Sequence, residues 1–285
     1  MIPSDLEAFW KETIERAAAE PLEAEVTAVD EKVPYYKHRV TYRSLDGVKV
    51  RAYVSVQHAE GKHPKRLPAI VSPPGYGGWE FGNTLSECQR DYVILHVYPR
   101  GQGESGDLWK VAPGAYQAWV NHGKESPEGF YYQGAYMDMV RGIDYLLTRP
   151  DVDPDRIGLM GTSQGGLIVL SVGAIEKRVR AVVAHLPALC NFRGNKTHKL
   201  CANLLNDPVF LDTFDYFDPV NLAPWLKAPT LVSSGGKDTT CPADAIRAAW
   251  DQLPGIKSLY HDPELTHTSS PDFYQMSWDW MKRFL

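Results

Sequence analysis

Apolar and polar residues follow two different periods in the first part of this 285-residue chain. After Ser4, apolar residues recur every three or four positions, which predicts an amphipathic helix that is capped by Ser4 and ended by Pro21. The next segment alternates polar and apolar residues on both sides of an Asp-Gly pair, which is typical of an antiparallel hairpin. The predicted strands and turn are 36–42, 48–54 and Asp46-Gly47.

Beyond residue 56 the pattern changes to short, nearly continuous apolar runs separated by stretches with helical spacing. Such runs indicate strands that are buried on both faces of a parallel sheet. The predicted strands are 67–72, 91–97, 156–160, 179–185, 230–234 and 258–261, and the predicted helices include 130–147, 243–253 and 272–284. We therefore expect an α/β fold with a mostly parallel central sheet of about eight strands and helices on both faces. A single domain, 1–285, would include the N-terminal helix and hairpin (4–56).

Composition and charge narrow the classes of function. The chain has 30 lysines and arginines against 35 aspartates and glutamates and no long basic run, which disfavours a nucleic-acid partner. No apolar run approaches the ~20 residues that span a bilayer, and the N-terminus lacks a secretory signal, so we expect a cytoplasmic protein without a membrane partner. Neither metal nor cofactor is expected, because no His/Cys/Asp cluster has metal-ligand spacing. The four scattered cysteines, expected to be free and mostly buried thiols, are Cys88, Cys190, Cys201 and Cys241.

The strongest chemical signal is the segment 161–165, which reads Gly-Thr-Ser-Gln-Gly. It lies between the apolar run 156–160 and the helix-like stretch 166–172, so a strand turns sharply into a helix at Ser163. Serine and glycine are also common in ordinary turns, but this context favours an exposed, strained position that presents the hydroxyl to a pocket. Ser163 is therefore the candidate nucleophile.

A serine hydroxyl needs a base, which is usually a histidine oriented by a carboxylate. In α/β-hydrolases the acid and then the histidine follow the serine, each in a loop after a strand. Asp238 follows the predicted strand 230–234 and is the candidate acid, although a turn or helix-capping aspartate is the simpler alternative. His267 follows the last strand and is the candidate base, with His261 in reserve.

The oxyanion of a tetrahedral intermediate requires hydrogen-bond donors. One candidate is the backbone N–H of Gln164, directly after the nucleophile. The second is expected from the glycine-rich loop 73–79 after the third strand, where the N–H of Tyr76 is the best candidate. An ordinary glycine turn is the alternative for this loop.

Three sequence marks occur in a shared order along the chain. They are Arg100-Gly101-Gln102 after a strand, Gln164 after the candidate nucleophile, and His267 near the C-terminus. In these marks the chain resembles the acetyl xylan esterases and cephalosporin C deacetylases of carbohydrate esterase family seven. Weaker likenesses extend over nearly the whole chain.

The resemblance implies an α/β-hydrolase fold and assigns the site residues. These are Ser163, Asp238 and His267 for the triad, with Tyr76 and Gln164 for the oxyanion hole. It also implies that Arg100 and Gln102 support the site without bond making. One departure is Thr268 after the histidine where the family has glutamate, so we expect the triad to be kept and its support to differ. The segments 105–129 and 191–211 also look shorter than their counterparts, and the resemblance leaves a homo-oligomer open.

We expect a serine carboxylesterase that removes O-acetyl groups from small carbohydrate esters through an acyl-enzyme. Acetylated xylo-oligosaccharides and cephalosporin C are the substrates that the resemblance suggests. Two alternatives stay open: another serine hydrolase, such as a broad short-chain esterase or a peptidase, and a non-catalytic hydrolase fold that serves as a ligand receptor. Aromatic residues that either line a sugar site or simply pack are Trp79, Tyr98, Trp109, Tyr116 and Trp119.

Overall fold

The computed structural model describes residues 2–29, 35–57, 65–77, 91–111 and 118–285. Within these ranges, nine strands form one sheet. The strands are β1 Glu25–Ala28, β2 Tyr36–Arg43, β3 Lys49–Val56, β4 Leu67–Ser72, β5 Val93–Tyr98, β6 Val152–Thr162, β7 Val179–His185, β8 Thr230–Gly235 and β9 Lys257–Asp262. The helices are α1 Leu6–Ala19, α2 Ala118–Asn121, α3 Tyr131–Thr148, α4 Gln164–Ile175, α5 Pro208–Phe214, α6 Pro219–Leu222, α7 Ala243–Asp251 and α8 Pro271–Phe284.

The strand order of the sheet is β1-β2-β3-β5-β4-β6-β7-β8-β9. Strands β1, β2 and β3 pair antiparallel, and β3 joins β5 in the same sense. From β5 through β9 every pairing is parallel. The carboxyl ends of these parallel strands therefore meet at one edge of the sheet, where α/β folds place their ligands.

Apolar side chains cover both faces of the sheet, as the continuous apolar runs predict. Along β4, Ala69 and Val71 join a large core with α1, α3, α4 and α7, whereas Ile70 joins a smaller core under α8. The alternation follows from the two-residue repeat of a strand. The α/β prediction is confirmed, and β4 and β7 have the predicted bounds.

Two local predictions need correction. The first helix begins at Leu6 with Asp5 at its N-cap, so the predicted Ser4 cap is wrong. The Asp5 carboxylate accepts a hydrogen bond from the Tyr216 hydroxyl at 2.6 Å. The predicted strand count omits β1, a strand of only four residues that are all exposed, so that no buried face marks it.

Three of the four cysteines lie in the described part of the chain and can be compared with the prediction. Cys190, Cys201 and Cys241 are free and buried, whereas Cys88, Trp79 and Tyr116 lie outside the described residues. In the part of the chain that the structure describes, no helix is both long enough and apolar enough to cross a bilayer.

Candidate active site

Ser163 lies at the junction between β6 and α4 in a backbone conformation with φ 57° and ψ −117°. Non-glycine residues seldom adopt a positive φ, so surrounding contacts must hold it there. The Ser163 N–H donates to the His185 carbonyl at 2.9 Å, and the Ser163 carbonyl accepts from the N–H groups of Leu167 and Ala188, each at 3.0 Å. These bonds fix the turn, and Ser163 remains partly exposed.

The two glycines beside Ser163 allow three pieces of backbone to meet. A Cβ atom on Gly161 would lie 2.4 Å from the Gly165 carbonyl oxygen, and one on Gly165 would lie 2.7 Å from that of Pro73. Both separations are too short for a side chain. The strand, the helix and the loop after β4 therefore pack closely only because these positions lack Cβ.

His267 links the candidate nucleophile to the candidate acid. Its Nε2 lies 3.0 Å from Ser163 Oγ, and its Nδ1 lies 2.7 Å from Asp238 Oδ2. Because a carboxylate only accepts hydrogen bonds, Nδ1 carries the proton and donates it to Asp238. The lone pair of Nε2 then faces the Ser163 hydroxyl, which is the orientation that a general base requires.

Asp238 is buried and held by its own loop. Its Oδ1 accepts from the N–H groups of Thr240 at 2.8 Å and Cys241 at 2.9 Å, which leaves Oδ2 for His267. The neighbouring position Gly235 packs so tightly that a Cβ there would lie 2.4 Å from the Leu265 carbonyl oxygen. The loop of the acid and the loop of the histidine therefore hold each other in place.

The loop after β4 carries Tyr76 beside this junction. Its ring packs edge-on to Trp119 with centroids 5.1 Å apart, and Trp119 Nε1 donates to the Gly101 carbonyl at 3.2 Å. Gln164 is the first residue of α4, where N–H groups have no intrahelical acceptor. Both proposed oxyanion donors thus lie on segments that border Ser163, and their role stays a prediction.

The side chain of Gln164 points into a buried amide pair. Its Nε2 donates to Gln102 Oε1 at 3.0 Å, and Gln102 Nε2 donates back to Gln164 Oε1 at 3.1 Å. Gln102 also donates to the Tyr131 hydroxyl at 2.7 Å. Burial raises the pKa of Tyr131 well above its ordinary value, so its hydroxyl stays a neutral partner. This network anchors the start of α4.

Arg100 is buried and forms an ion pair with Asp138 of α3. Arg100 Nη2 lies 2.8 Å from Asp138 Oδ1, and the Arg100 N–H donates to Asp138 Oδ2 at 2.8 Å. The guanidinium also donates to the Leu45 carbonyl at 3.2 Å. Arg100 therefore ties the loop after β5 to α3 and to the hairpin turn.

Two other histidines near the sheet edge have different partners. His261, the reserve candidate, contacts the Ser234 hydroxyl through Nδ1 at 2.9 Å. His185, at the end of β7, has Nε2 3.1 Å from the Thr268 carbonyl and Nδ1 2.5 Å from Ser233 Oγ. Since a carbonyl only accepts, Nε2 of His185 donates to Thr268, the residue that follows His267.

His185 is the supporting residue that the sequence did not reveal. Its ring stacks on Phe273 with centroids 4.8 Å apart, and burial lowers its pKa to about 4. The histidine is therefore neutral at physiological pH and steadies the loop that carries the candidate base. The only sequence signal was its place at the carboxyl end of a parallel strand.

The aromatic residues considered for a sugar site have different surroundings in the structure. Tyr98 is buried edge-on to Tyr53, and Trp109 packs edge-on to His122. The ring of Trp119 packs against Tyr76 in the loop after β4. Trp119 therefore lies beside the candidate oxyanion loop, where a substrate would bind.

The structure brings together possible metal ligands that the spacing along the sequence did not indicate. Among the described residues, one group of three possible metal ligands has donor atoms within 4.8 Å of one another: Asp238, Cys241 and His267. The group was not apparent along the chain because His267 comes from a separate loop.

Comparison with known proteins identifies the family of the chain. The acetyl xylan esterase (AXE1) family matches residues 1–284. The chain belongs to this family. An acetyl esterase of Xylanibacter ruminicola is 25% identical over 97% of the chain, and the chain spans 66% of that relative's length. Acetyl xylan esterases are carboxylic ester hydrolases, and residues 1–284 match their family.

Two solved structures share the fold over essentially the whole chain. An acetyl xylan esterase from Paenibacillus sp. matches with a TM-score of 0.89 and 25% identity, covering 100% of this chain and 96% of that one. Acetyl xylan esterase 1 from Thermoanaerobacterium sp. matches with a TM-score of 0.88 and 22% identity, covering 99% and 94%. The predicted α/β-hydrolase fold and the family resemblance are confirmed.

Proposed function

We propose that this protein is a serine esterase that removes O-acetyl groups from small carbohydrate esters. The observation that carries the proposal is the continuous set of hydrogen bonds from Asp238 through His267 to Ser163. A serine with a correctly oriented imidazole and a buried carboxylate is the arrangement that activates a hydroxyl for acyl transfer.

In the first half of the reaction, Ser163 Oγ attacks the acetyl carbonyl carbon while His267 Nε2 takes the hydroxyl proton. The N–H groups of Tyr76 and Gln164 stabilise the resulting oxyanion, each donor contributing roughly 3–4 kcal/mol in comparable sites. The tetrahedral intermediate collapses, and His267 returns the proton to the departing sugar oxygen. Ser163 is left as the acetyl ester.

In the second half, water attacks the acetyl-enzyme. His267 takes a proton from this water, and the same two N–H groups stabilise the second oxyanion. Collapse releases acetate, and the proton returns to Ser163 Oγ. Asp238 stays ionised throughout, because it keeps Nδ1 protonated and stabilises the imidazolium that forms twice in each cycle.

Family membership supports acetylated xylo-oligosaccharides as the substrate class, and cephalosporin C is a second acetyl ester to compare. The two solved relatives are named acetyl xylan esterases. Trp119, beside the Tyr76 loop, offers an apolar face of the kind that packs against a sugar ring. The cytoplasmic location and a homo-oligomeric state stay predictions.

Ser163→Ala and His267→Ala should each lower kcat for p-nitrophenyl acetate by roughly four orders of magnitude, because the two groups act as a unit. His261→Ala is the matched control and should leave most of the activity, since its ring contacts Ser234 instead. A Ser163→Ala enzyme that keeps half of its activity would exclude Ser163 from the mechanism. Loss of activity in His261→Ala would assign the base to that residue.

Two further measurements test the intermediate and the substrate. Rapid quenching followed by mass spectrometry should find an acetyl group on the peptide that contains Ser163, and a fluorophosphonate probe should label the same residue. We expect acetyl esters to be hydrolysed faster than butyryl esters, and acetylated xylo-oligosaccharides faster than cephalosporin C. Efficient cleavage of peptides with slow ester turnover would instead indicate a peptidase.

A further inference from the structure

A buried thiol lies next to the reacting groups without any role in the proposed acetyl transfer. Cys241 is fully buried, and its backbone N–H donates to Asp238 Oδ1 at 2.9 Å. Its sulfur lies within 4.8 Å of a carboxylate oxygen of Asp238 and a ring nitrogen of His267. The sulfur is therefore held at the same place as the carboxylate and the imidazole.

The three side chains together offer the donors that zinc prefers. A thiolate sulfur, an imidazole nitrogen and a carboxylate oxygen are all common zinc ligands, and two negative ligands balance a divalent charge. In a tetrahedral zinc site the nitrogen and sulfur donors are about 3.5 Å apart. The donors of Asp238, Cys241 and His267 lie within 4.8 Å of one another, so closing around an ion needs movements of about 1 Å.

We propose that Asp238, Cys241 and His267 form an inhibitory binding site for zinc and chemically similar thiophilic divalent cations. A cation bound there occupies the lone pair of a His267 ring nitrogen and breaks the hydrogen-bonded arrangement of the three side chains. Inhibition by this route rests on the proposed esterase function, whereas metal binding itself does not.

Binding of a cation requires the Cys241 thiol to lose its proton. Burial and the charge of Asp238 raise the pKa of the Cys241 thiol, so without metal it stays protonated and unreactive. Binding displaces that proton to solvent and leaves a thiolate on the metal. The side chain of His267 is 28% accessible, so this ligand can meet an ion that arrives from solvent.

Zinc chloride should inhibit hydrolysis of p-nitrophenyl acetate in a buffer that does not chelate metals, and EDTA should restore the rate. Removing one ligand should raise the inhibitory zinc concentration roughly tenfold or more in Cys241→Ala and in the more conservative Cys241→Ser. Each variant is compared with its own metal-free rate. Cys201→Ala is the matched control, because it removes another buried thiol that is not one of the three donors and should keep wild-type sensitivity.

Direct binding is measured in Ser163→Ala, which retains all three donors and needs no activity. Titration with cadmium chloride should produce the ultraviolet absorption of a cadmium–thiolate bond, and adding Cys241→Ala should abolish it. Equal zinc sensitivity of wild type and Cys241→Ala, or no thiolate absorption in Ser163→Ala, would overturn the proposal. Thiolate absorption in a protein whose wild type hydrolyses no ester would contradict only the proposed function.

Discussion

Ser163 is held in a strained conformation by contacts that come from β7. Its N–H donates to the carbonyl of His185, the last residue of that strand, and the ring of the same histidine donates to the Thr268 carbonyl. One residue therefore supports the candidate nucleophile through its backbone and the candidate base through its side chain. Thr268 stands where the family pattern has glutamate, and here its main chain receives the support.

The buried state of His185 predicts an acid-dependent loss of stability. Its folded pKa of about 4 lies below the ordinary 6.5, so the unfolded chain binds the proton first. The stabilisation from the neutral ring is complete above pH 6.5 and is lost as the pH falls towards 4, by up to about 1.4 kcal/mol per pH unit.

Urea unfolding of wild type and His185→Gln between pH 7 and pH 4.5 measures this effect. Glutamine keeps a donor for Thr268 but does not titrate, so its free energy of unfolding should fall less steeply below pH 6.5. The difference between the two curves isolates His185 from every other titrating group. Parallel curves would show that the ring is protonated equally in the folded and unfolded states.

The sequence predicted some residues of the candidate site but not others. Ser163, Asp238 and His267 were predicted as a group, because a motif and a chain order relate them, and the structure brings them within hydrogen-bonding distance. Cys241 and His185 gave no comparable signal. Their nearness to the site depends on how separate strand ends meet, which no spacing along the chain records.

At the scale of elements, four loops converge at the carboxyl edge of the parallel strands. The loops after β4, β6, β8 and β9 carry Tyr76, Ser163, Asp238 and His267. Apolar runs predicted β4 and β8 well because both of their faces are buried, whereas β9 is a partly exposed edge strand. The exposed strand β1 and the short helices α5 and α6 were missed, although Asp207-Pro208 and Asp218-Pro219 carry the N-cap and first-turn residues typical of helix starts.

The Arg100–Asp138 pair is a buried ion pair between the loop after β5 and α3. Both side chains are almost fully buried, at 7% and 0% accessibility. Arg100→Met leaves the Asp138 carboxylate buried without its cation and should lower the free energy of unfolding by about 3–5 kcal/mol.

Arg247→Met is the matched control for this substitution. Arg247 pairs with Asp251 along α7, where both side chains are about half exposed, and its loss should change the free energy of unfolding by less than about 1 kcal/mol. Denaturant titrations of the two variants measure the contrast. Equal effects would mean that the buried carboxylate finds another partner when Arg100 is removed.

At the scale of the whole molecule, one sheet separates a large core from a smaller one. In β4 and β6, neighbouring residues along the strand contribute to different cores. Disorder in either core would therefore disturb the same two strands. We infer a single cooperative unit, and calorimetry should show one unfolding transition with equal calorimetric and van't Hoff enthalpies.

A substitution in the smaller core tests that cooperativity. Met281→Ala removes a fully buried side chain under the sheet and should destabilise the protein by about 2–5 kcal/mol, moving the whole transition to a lower temperature. Met276→Ala, on the exposed part of the same helix, is the control and should have little effect. A second, separate transition in Met281→Ala would indicate that the two cores unfold independently.

The order β6-β7-β8-β9 sets a distance that the side chains must bridge. With neighbouring strands about 4.8 Å apart, the histidine loop begins about 14 Å across the sheet from the serine turn. That loop has to arch back over two intervening strands before its imidazole reaches the hydroxyl. The length of the segment 263–266 therefore determines whether the imidazole can reach the hydroxyl. A deletion within this segment would abolish activity although every reacting side chain is still present.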